Sequence, residues 1–441
     1  MLSREAPLAG APGHGPPVSS ADARMGASAG GLITPLLTAA VFFFCFHLWR
    51  LGDINITISD VLFALVLFLE LGLSRLNGRP LGAATPLWLA SLVLMLTGLF
   101  LGSYVNGDLG RWLIVAVQYL FSFMLLPMIL IRERTMLERL IVMMIIAMVA
   151  MESVGIAGYY YLDGHEQATA MFGRDFITGG RRLGAMVGDA NWNSAVIAMT
   201  IPFVMYAGSK RLIPPTAAFA AAGVLMWALM LAASFTGFSA AILAIGAMAV
   251  VGRMRPSPKL LLLSCTLAAY LFMSGYQLPA IFAKRVAPAI EDRNLDNAGT
   301  YDDRADLILE AWRHADKTAI IGMGVDEYRK YSAFGQPVHN MYMLELAEGG
   351  ILALAGWLGI VVTLILIPLA RLRRHRVEAA LCLSVIMVFL VFTMASPHMY
   401  ARLWMVPVLL SLGVVLTAGD PLPLLGSRAN RNRPLTSLRM D

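Results

Sequence analysis

The sequence predicts an all-α polytopic membrane protein with about 12 transmembrane helices and a long periplasmic loop that contains short helices. Hydrophobic residues make up 58% of the 441 residues and charged residues only 14%, whereas soluble domains carry roughly 25% charged residues. The mean hydropathy is +0.69. The net charge of +6 does not indicate nucleic-acid binding, because the charges cluster in short runs beside apolar spans, as the positive-inside rule expects.

Twelve apolar stretches have the length needed to cross a bilayer. They are 33–49, 58–74, 85–101, 112–131, 140–161, 192–208, 213–233, 237–252, 260–279, 350–370, 377–395 and 403–418. The chain then divides into a disordered cytoplasmic tail (1–31), nine spans (32–279) with a periplasmic loop at 162–191, a periplasmic catalytic loop (280–349), three more spans (350–419) and a second disordered cytoplasmic tail (420–441). The first tail is rich in Ala, Gly, Pro and Ser, a composition typical of disorder.

Lysine and arginine orient the predicted bundle. With the N-terminus inside, the inner segments carry 20 of the 34 Lys and Arg residues. Of the other 14, 11 lie in the two long outer loops, 162–191 and 280–349. Short loops decide orientation, so both termini are predicted to be cytoplasmic. The two outer loops carry arginine against this rule, and we therefore expect function there.

The first outer loop contains Arg181 and Arg182 among glycines that permit tight turns. Four residues could cap the helix that follows it: Asp189, Asn191, Asn193 or Ser194. An exposed helix N-terminus with arginines nearby suits an anion.

The second outer loop is predicted to have local order. An amphipathic helix covers Thr300–Ala315, capped by Thr300 or Asp302, and Gly322-Met-Gly324 forms a turn. A further helix is expected to start at Pro337, with His339, Tyr342, Met343 and Leu346 on one face. Gly349-Gly350 is expected to loosen that helix before the tenth span.

Two runs in this loop carry a resemblance. The run Arg304…Ala311-Trp312…Gly322-Met-Gly324 and the run His339-Asn340-Met-Tyr342…Glu348-Gly-Gly350 resemble the signature of the O-antigen ligase/polymerase superfamily. The run Arg181/Arg182…Gly184…Asn191 resembles that family's other outer loop, although Ala190 stands where a proline is usual before the asparagine. The twelve-span layout fits as well.

The resemblance implies an inverting, metal-independent glycosyltransferase without cofactor, in the bacterial inner membrane and facing the periplasm. Its donor would be an undecaprenyl-diphosphate-linked glycan. The protein would also contact membrane lipids. The acceptor stays open between lipid A–core, which we favour, a growing polysaccharide end in a polymerase, and a protein hydroxyl. A lipid-linked oligosaccharide flippase is the alternative from another class, but the broken helices and inverted repeat expected of transporters do not stand out. A structural scaffold would leave the arginine-loaded loops unexplained.

The implied chemistry assigns roles to named residues. His339 would be the general base, kept neutral by the dipole of the helix whose first turn it occupies. Arginines bind phosphate oxygens through a planar fork. The candidates for diphosphate binding are Arg304, Arg181, Arg182 and, as a second clamp, Arg285. Asn340 and Tyr342 complete the substrate-binding set.

Simpler structural roles stand beside these assignments. His339 could only hydrogen-bond the backbone, and the arginines could be solvated or bind lipid headgroups. Asp302 and Asp303 could hold a metal, but helix capping explains them and no metal is predicted. Further candidates are carboxylates within or beside the spans, and two residues at the last outer turn: Glu70, Glu152, Glu345, Glu348, His398 and Arg402.

Overall fold

The computed structural model describes residues 20–49, 56–162, 165–173, 175–254, 266, 273–274, 279–286, 301–397 and 399–419, with the backbone alone at 20–30, 301–305 and 315–317. Its helices are α1 (Ser20–Phe42), α2 (Ile58–Gly72), α3 (Thr85–Asn106), α4 (Leu109–Leu120), α5 (Leu126–Leu130), α6 (Arg134–Tyr161), α7 (His165–Phe172), α8 (Ala190–Ser209), α9 (Pro215–Ala232), α10 (Phe235–Val251), α11 (Ala280–Arg285), α12 (Tyr301–Thr318), α13 (Tyr328–Tyr331), α14 (Met341–Arg371), α15 (Arg376–Thr393) and α16 (Arg402–Leu416). Two short strands, β1 (Ile177–Thr178) and β2 (Arg182–Leu183), pair antiparallel.

The prediction of a helical membrane protein is confirmed at this level. Within the described ranges, six helical segments are long and apolar enough to cross a membrane: 82–106, 109–130, 134–161, 215–232, 341–371 and 376–393. Shorter apolar helices occupy 31–45, 235–251 and 402–416. The predicted ninth span, 260–279, lies almost wholly outside the described residues, and the total of 12 spans stays a prediction.

The helices alternate in direction and give the bundle two ends. We call the end formed by 44–49, 106–109, 161–162, 165–173, 175–190, 232–235, 318–341, 394–397 and 399–402 the loop face. The segments 72–85, 130–134, 209–215 and 371–376 lie at the other end. Helix α1 starts, and α16 finishes, at that other end. That both termini lie on the cytoplasmic side stays a prediction, because residues 1–19 and 420–441 and most of the predicted ninth span are outside the described residues.

Helices α3 and α14 approach each other closely, and glycine makes this possible. A Cβ on Gly98 would lie 2.4 Å from the backbone nitrogen of Ala353, and one on Gly356 would lie 2.3 Å from that of Met95. Small residues at such positions let two helix backbones approach within the membrane. This pair holds the N-terminus of α14 in place at the loop face.

Two carboxylates that the sequence places within spans have partners in the bundle. The Glu70 carboxylate lies 2.6 Å from a terminal nitrogen of Arg132. Glu152 is fully buried, and the side-chain amide of Asn193 donates to it at 3.4 Å. These contacts favour a structural role over a functional one for both residues, because the first ties α2 to the turn between α5 and α6 and the second ties α6 to α8.

Candidate functional site

The segment before α14 is anchored to a break within that helix. Gly350 has φ 68° and ψ −165°, so the helical hydrogen-bond ladder is interrupted there. The amide of Ile351 donates to the Ala319 carbonyl at 2.7 Å, and the Met323 amide donates to the Ala347 carbonyl at 2.8 Å. The predicted loosening at Gly349-Gly350 is therefore a kink, and the loop fills the hydrogen bonds that the kink leaves open.

Steric limits explain the glycines of the Gly322-Met-Gly324 turn. A Cβ on Gly322 would lie 2.1 Å from the Glu348 carbonyl oxygen. Gly324 has φ +100°, and its Cβ would lie 2.9 Å from the Cα of Gly107. The motif therefore marks the place where the outer loop, α3 and α14 meet backbone to backbone.

The structure corrects the predicted helix around His339. Helix α14 begins at Met341 instead of Pro337, because the Asn340 side chain accepts hydrogen bonds from the amides of Tyr342 (3.0 Å) and Met343 (3.1 Å). Asparagine is among the strongest N-cap residues. His339 thus precedes the helix and lies, half-buried, at the end of the loop. His339 therefore lies before the N-cap, outside the terminal turn to which the effect of the helix dipole is confined, and the predicted neutral imidazole loses that support.

A carboxylate on α12 fixes the loop that carries His339. Glu310 accepts hydrogen bonds from the Tyr328 hydroxyl (2.8 Å), the Ser332 hydroxyl (2.7 Å) and the Ala333 amide (2.7 Å). Burial alone would raise the pKa of Glu310, but these hydrogen bonds outweigh it and lower the pKa. Helix α12 itself confirms the predicted amphipathic helix, and its buried Ala311 packs with Tyr328 and Val338.

Helix α14 is tied to the neighbouring helices at the loop face. The Thr393 hydroxyl of α15 donates to the Tyr342 hydroxyl at 3.2 Å. Phe392, beside Thr393, contacts the Trp404 ring of α16 at 5.7 Å between centroids, and Trp404 meets Trp192 of α8 edge-on at 5.8 Å. A continuous line of contacts therefore joins the helix behind His339 to the helix behind the first outer loop.

The first outer loop contains a hairpin, which was not predicted from the sequence. Ile177 pairs with Leu183 and Thr178 with Arg182, in strands too short for an alternating pattern to be visible. Gly180 has φ +74°, as the tight turn between the strands requires. Of the four candidate caps for the following helix, Asp189 is the one that acts, since its side chain accepts hydrogen bonds from the amides of Asn191 and Trp192, each at 2.8 Å.

The two arginines of this hairpin differ in their surroundings. Arg182 donates to the Asn191 side chain at 2.7 Å and to the Ala232 carbonyl at 3.0 Å, which ties the hairpin to α8 and α9. Arg181 is exposed, lies over the Tyr159 ring at 5.3 Å and donates to the Tyr159 carbonyl at 3.1 Å. Arg181 is therefore the hairpin arginine more open to a ligand.

The structure describes the side chain of only one of the remaining predicted site residues, Arg285. Arg285 ends α11, which packs beside the hairpin: Ile281 comes within 3.8 Å of where a Gly180 Cβ would lie, and Phe282 meets Phe238 of α10 at 5.2 Å. Arg304, Asp302 and Asp303 belong to α12, but their side chains are outside the described part of the chain. His398 is also outside it.

Further charged and polar residues lie at the loop face beside a groove. The guanidinium of Arg402 forms an ion pair with the buried Asp60, and Arg111 forms one with Asp326. Glu345 of α14 accepts a hydrogen bond from the Tyr119 hydroxyl at 3.0 Å. Arg111 is not among the site residues predicted from the sequence, because a single arginine in a short turn is ordinary. The Thr57-Ile-Ser-Asp60 capping box was the local signal for Asp60.

The groove itself has a volume of about 870 Å³. It is lined by Ile56, Asp60, Val61, Ala64, Arg111, Leu113, Ile114, Val117, Gln118, Phe121, Tyr400 and Arg402. Burial raises the pKa of Tyr400 to about 12. Its hydroxyl, which would be protonated at neutral pH even with an ordinary pKa, can donate a hydrogen bond.

The loop face thus brings together a hairpin with an exposed arginine, a short helix ending in arginine, a fixed loop ending in histidine, and a groove with polar residues at one end. Comparison of the chain with protein-family models and with curated proteins gives no match.

Proposed function

We propose that this protein is a membrane glycosyltransferase of the O-antigen ligase type, which moves a glycan from a polyprenyl diphosphate to an acceptor hydroxyl at the loop face. The observation that carries the proposal is the position of His339. It ends a loop fixed by Glu310, beside the N-terminus of α14, at the same end of the bundle as Arg181 and Arg285.

The chemistry follows from these side chains. The His339 imidazole takes the proton of the acceptor hydroxyl, and that oxygen attacks the anomeric carbon of the first sugar. The new bond forms between the acceptor oxygen and this carbon, while the bond to the diphosphate oxygen breaks and its electron pair leaves with the diphosphate. A single displacement inverts the anomeric configuration, and the proton passes from His339 to solvent.

Cations stabilise the negative charge that grows on the departing diphosphate. Arg181 and Arg285 are the arginines that the described residues favour for this role, with Arg304 on α12 as the further candidate from the sequence. Arg182 is engaged with Asn191 and Ala232, so in this proposal it holds the hairpin in shape and supports Arg181. The site would face the periplasm of the bacterial inner membrane.

The acceptor distinguishes a ligase from a polymerase. We propose ligation of a preassembled polysaccharide to lipid A–core. A strain that lacks the gene is then expected to accumulate long polyprenyl-linked polysaccharide while its lipid A–core carries none, as gel analysis of both lipid fractions would reveal. Accumulation of single repeat units in the deletion strain would instead identify a polymerase.

A further inference from the structure

We infer that the groove between α2 and α4 binds the single chain of a polyprenyl phosphate, with the phosphate on Arg111. This inference adds a site for the carrier lipid to the proposed function: Arg111 takes the phosphate next to the lipid chain, and Arg181 and Arg285 keep their role at the sugar end of the diphosphate. It rests on the proposed function for the identity of the glycan that the lipid carries.

The shape of the groove fits one long apolar chain. Its walls are one face of α2, with Val61 and Ala64, and one face of α4, with Leu113, Ile114 and Val117. Three of the wall side chains are strongly exposed: Leu113 by 56%, Ile114 by 53% and Val117 by 56%. A single trough between two helices accommodates one chain, whereas a membrane phospholipid has two.

The end of α4 shapes the floor of the groove. After Leu120 the helix widens into one π-helical turn, Phe121–Leu125, and Phe121 lines the groove. Pro127 follows in the next turn and has no backbone N–H to donate, which accounts for the irregularity. Turns of this kind occur often at functional sites.

The polar end of the groove offers hydrogen-bond donors to an anion. Arg402 directs its fork onto Asp60, deep in the protein. Arg111 uses only Nε, which donates to Asp326, and its guanidinium makes no other hydrogen bond within the part of the chain that the structure describes. Among the described residues, its two terminal nitrogens therefore have four N–H groups that can bind a phosphate.

In the ion pair between Arg111 and Asp326, the arginine is the more exposed partner. The Arg111 side chain is 42% exposed and that of Asp326 only 11%, so the mouth of the groove presents the cation. Arg111 also lies in the first turn of α4, two residues after its start at Leu109. A cation is unfavourable at a helix N-terminus, which argues against an arginine placed there for helix stability.

The ion pair links the groove to the loop that leads to His339. Asp326 follows directly after Gly324-Val325, and the Val325 amide donates to the Ser103 hydroxyl at 3.0 Å. A phosphate on Arg111 would thus lie beside the segment that the kink at Gly350 anchors. The carrier chain would occupy the groove, and the headgroup would leave it on the side of the outer loop.

Binding of undecaprenyl phosphate to the full-length protein in phosphatidylcholine nanodiscs tests this inference without glycan or acceptor. Arg111→Ala is expected to weaken binding about tenfold or more, the usual scale for losing charge-assisted hydrogen bonds. Arg313→Ala, which removes an exposed arginine of α12 away from the groove, is the matched control and should bind as the wild type does. Val117→Trp fills the groove without changing charge and should also weaken binding, whereas Val250→Trp, at an exposed position on α10, should not.

Unchanged binding by both Arg111→Ala and Val117→Trp would overturn the inference, and so would displacement of the probe by phosphatidylglycerol at equal concentration. Different results would contradict the proposed glycan transfer and the lipid-binding groove. Wild-type protein that binds the lipid phosphate through Arg111 but transfers no glycan would contradict only the proposed function. Active transfer with normal binding by Arg111→Ala would contradict only the groove assignment.

Discussion

His339→Ala is expected to lower glycan transfer by a factor on the order of 10² or more, the usual scale for loss of a general base. The variant should be produced and inserted like the wild type, because His339 lies in the loop before α14 and only half-buried. The measurement is the initial rate of transfer by purified protein from lipid-linked donor to acceptor.

The matched control is His314→Ala, which removes a histidine of α12 that contacts the Tyr328 ring at 6.2 Å. The His314→Ala variant should transfer glycan at close to the wild-type rate. A His339→Ala enzyme with full activity would remove the general base from the proposed mechanism. Equal losses in both variants would instead indicate that the outer loop had been disturbed.

Gly322→Ala is expected to destabilise the outer loop by about 2–3 kcal/mol, the upper range for overpacking. The added Cβ would lie 2.1 Å from the Glu348 carbonyl oxygen and 2.4 Å from the Gly349 nitrogen, and backbone atoms within a helix cannot move aside as a side chain can. The α14 contact that holds the segment leading to His339 would open.

Tryptic cleavage at Arg329 and Lys330 measures this opening, since both residues are on α13, just beyond the anchored turn. Gly322→Ala should be cleaved faster than the wild type and should also lose transfer activity. Gly246→Ala is the control, because no heavy atom lies within 4 Å of the added Cβ there. Cleavage of Gly322→Ala at the wild-type rate would mean that the turn does not depend on this backbone contact.

Much of the fold could be predicted from the sequence because bilayer thickness fixes the length of an apolar helix. The amphipathic helix α12 and the cap at Asp189 also follow local rules, which operate within a few residues. The start of α14 was predicted four residues too early because Pro337 suits a first turn, whereas the Asn340 side chain satisfies two amides at once. One good cap overrides a weaker start signal.

The contacts between distant segments could not be predicted in the same way. Asp60 and Arg402 are 342 residues apart in the chain, and Arg111 and Asp326 are 215 apart. No local sequence pattern predicts such contacts, because the packing of the helices decides which helix ends lie side by side. Gly322 and Gly324 were recognised through a resemblance, but their physical reason, an approach to a kinked helix, became visible only in three dimensions.

Reconstituted transfer by the wild-type protein tests the central claim most directly. Liposomes containing purified protein, polyprenyl-diphosphate-linked polysaccharide and lipid A–core are expected to yield lipid A–core carrying the polysaccharide through an inverted anomeric linkage, also in the presence of EDTA. Polysaccharide that crosses the bilayer while still attached to its carrier lipid, with no glycosylated acceptor formed, would contradict the account and identify a flippase.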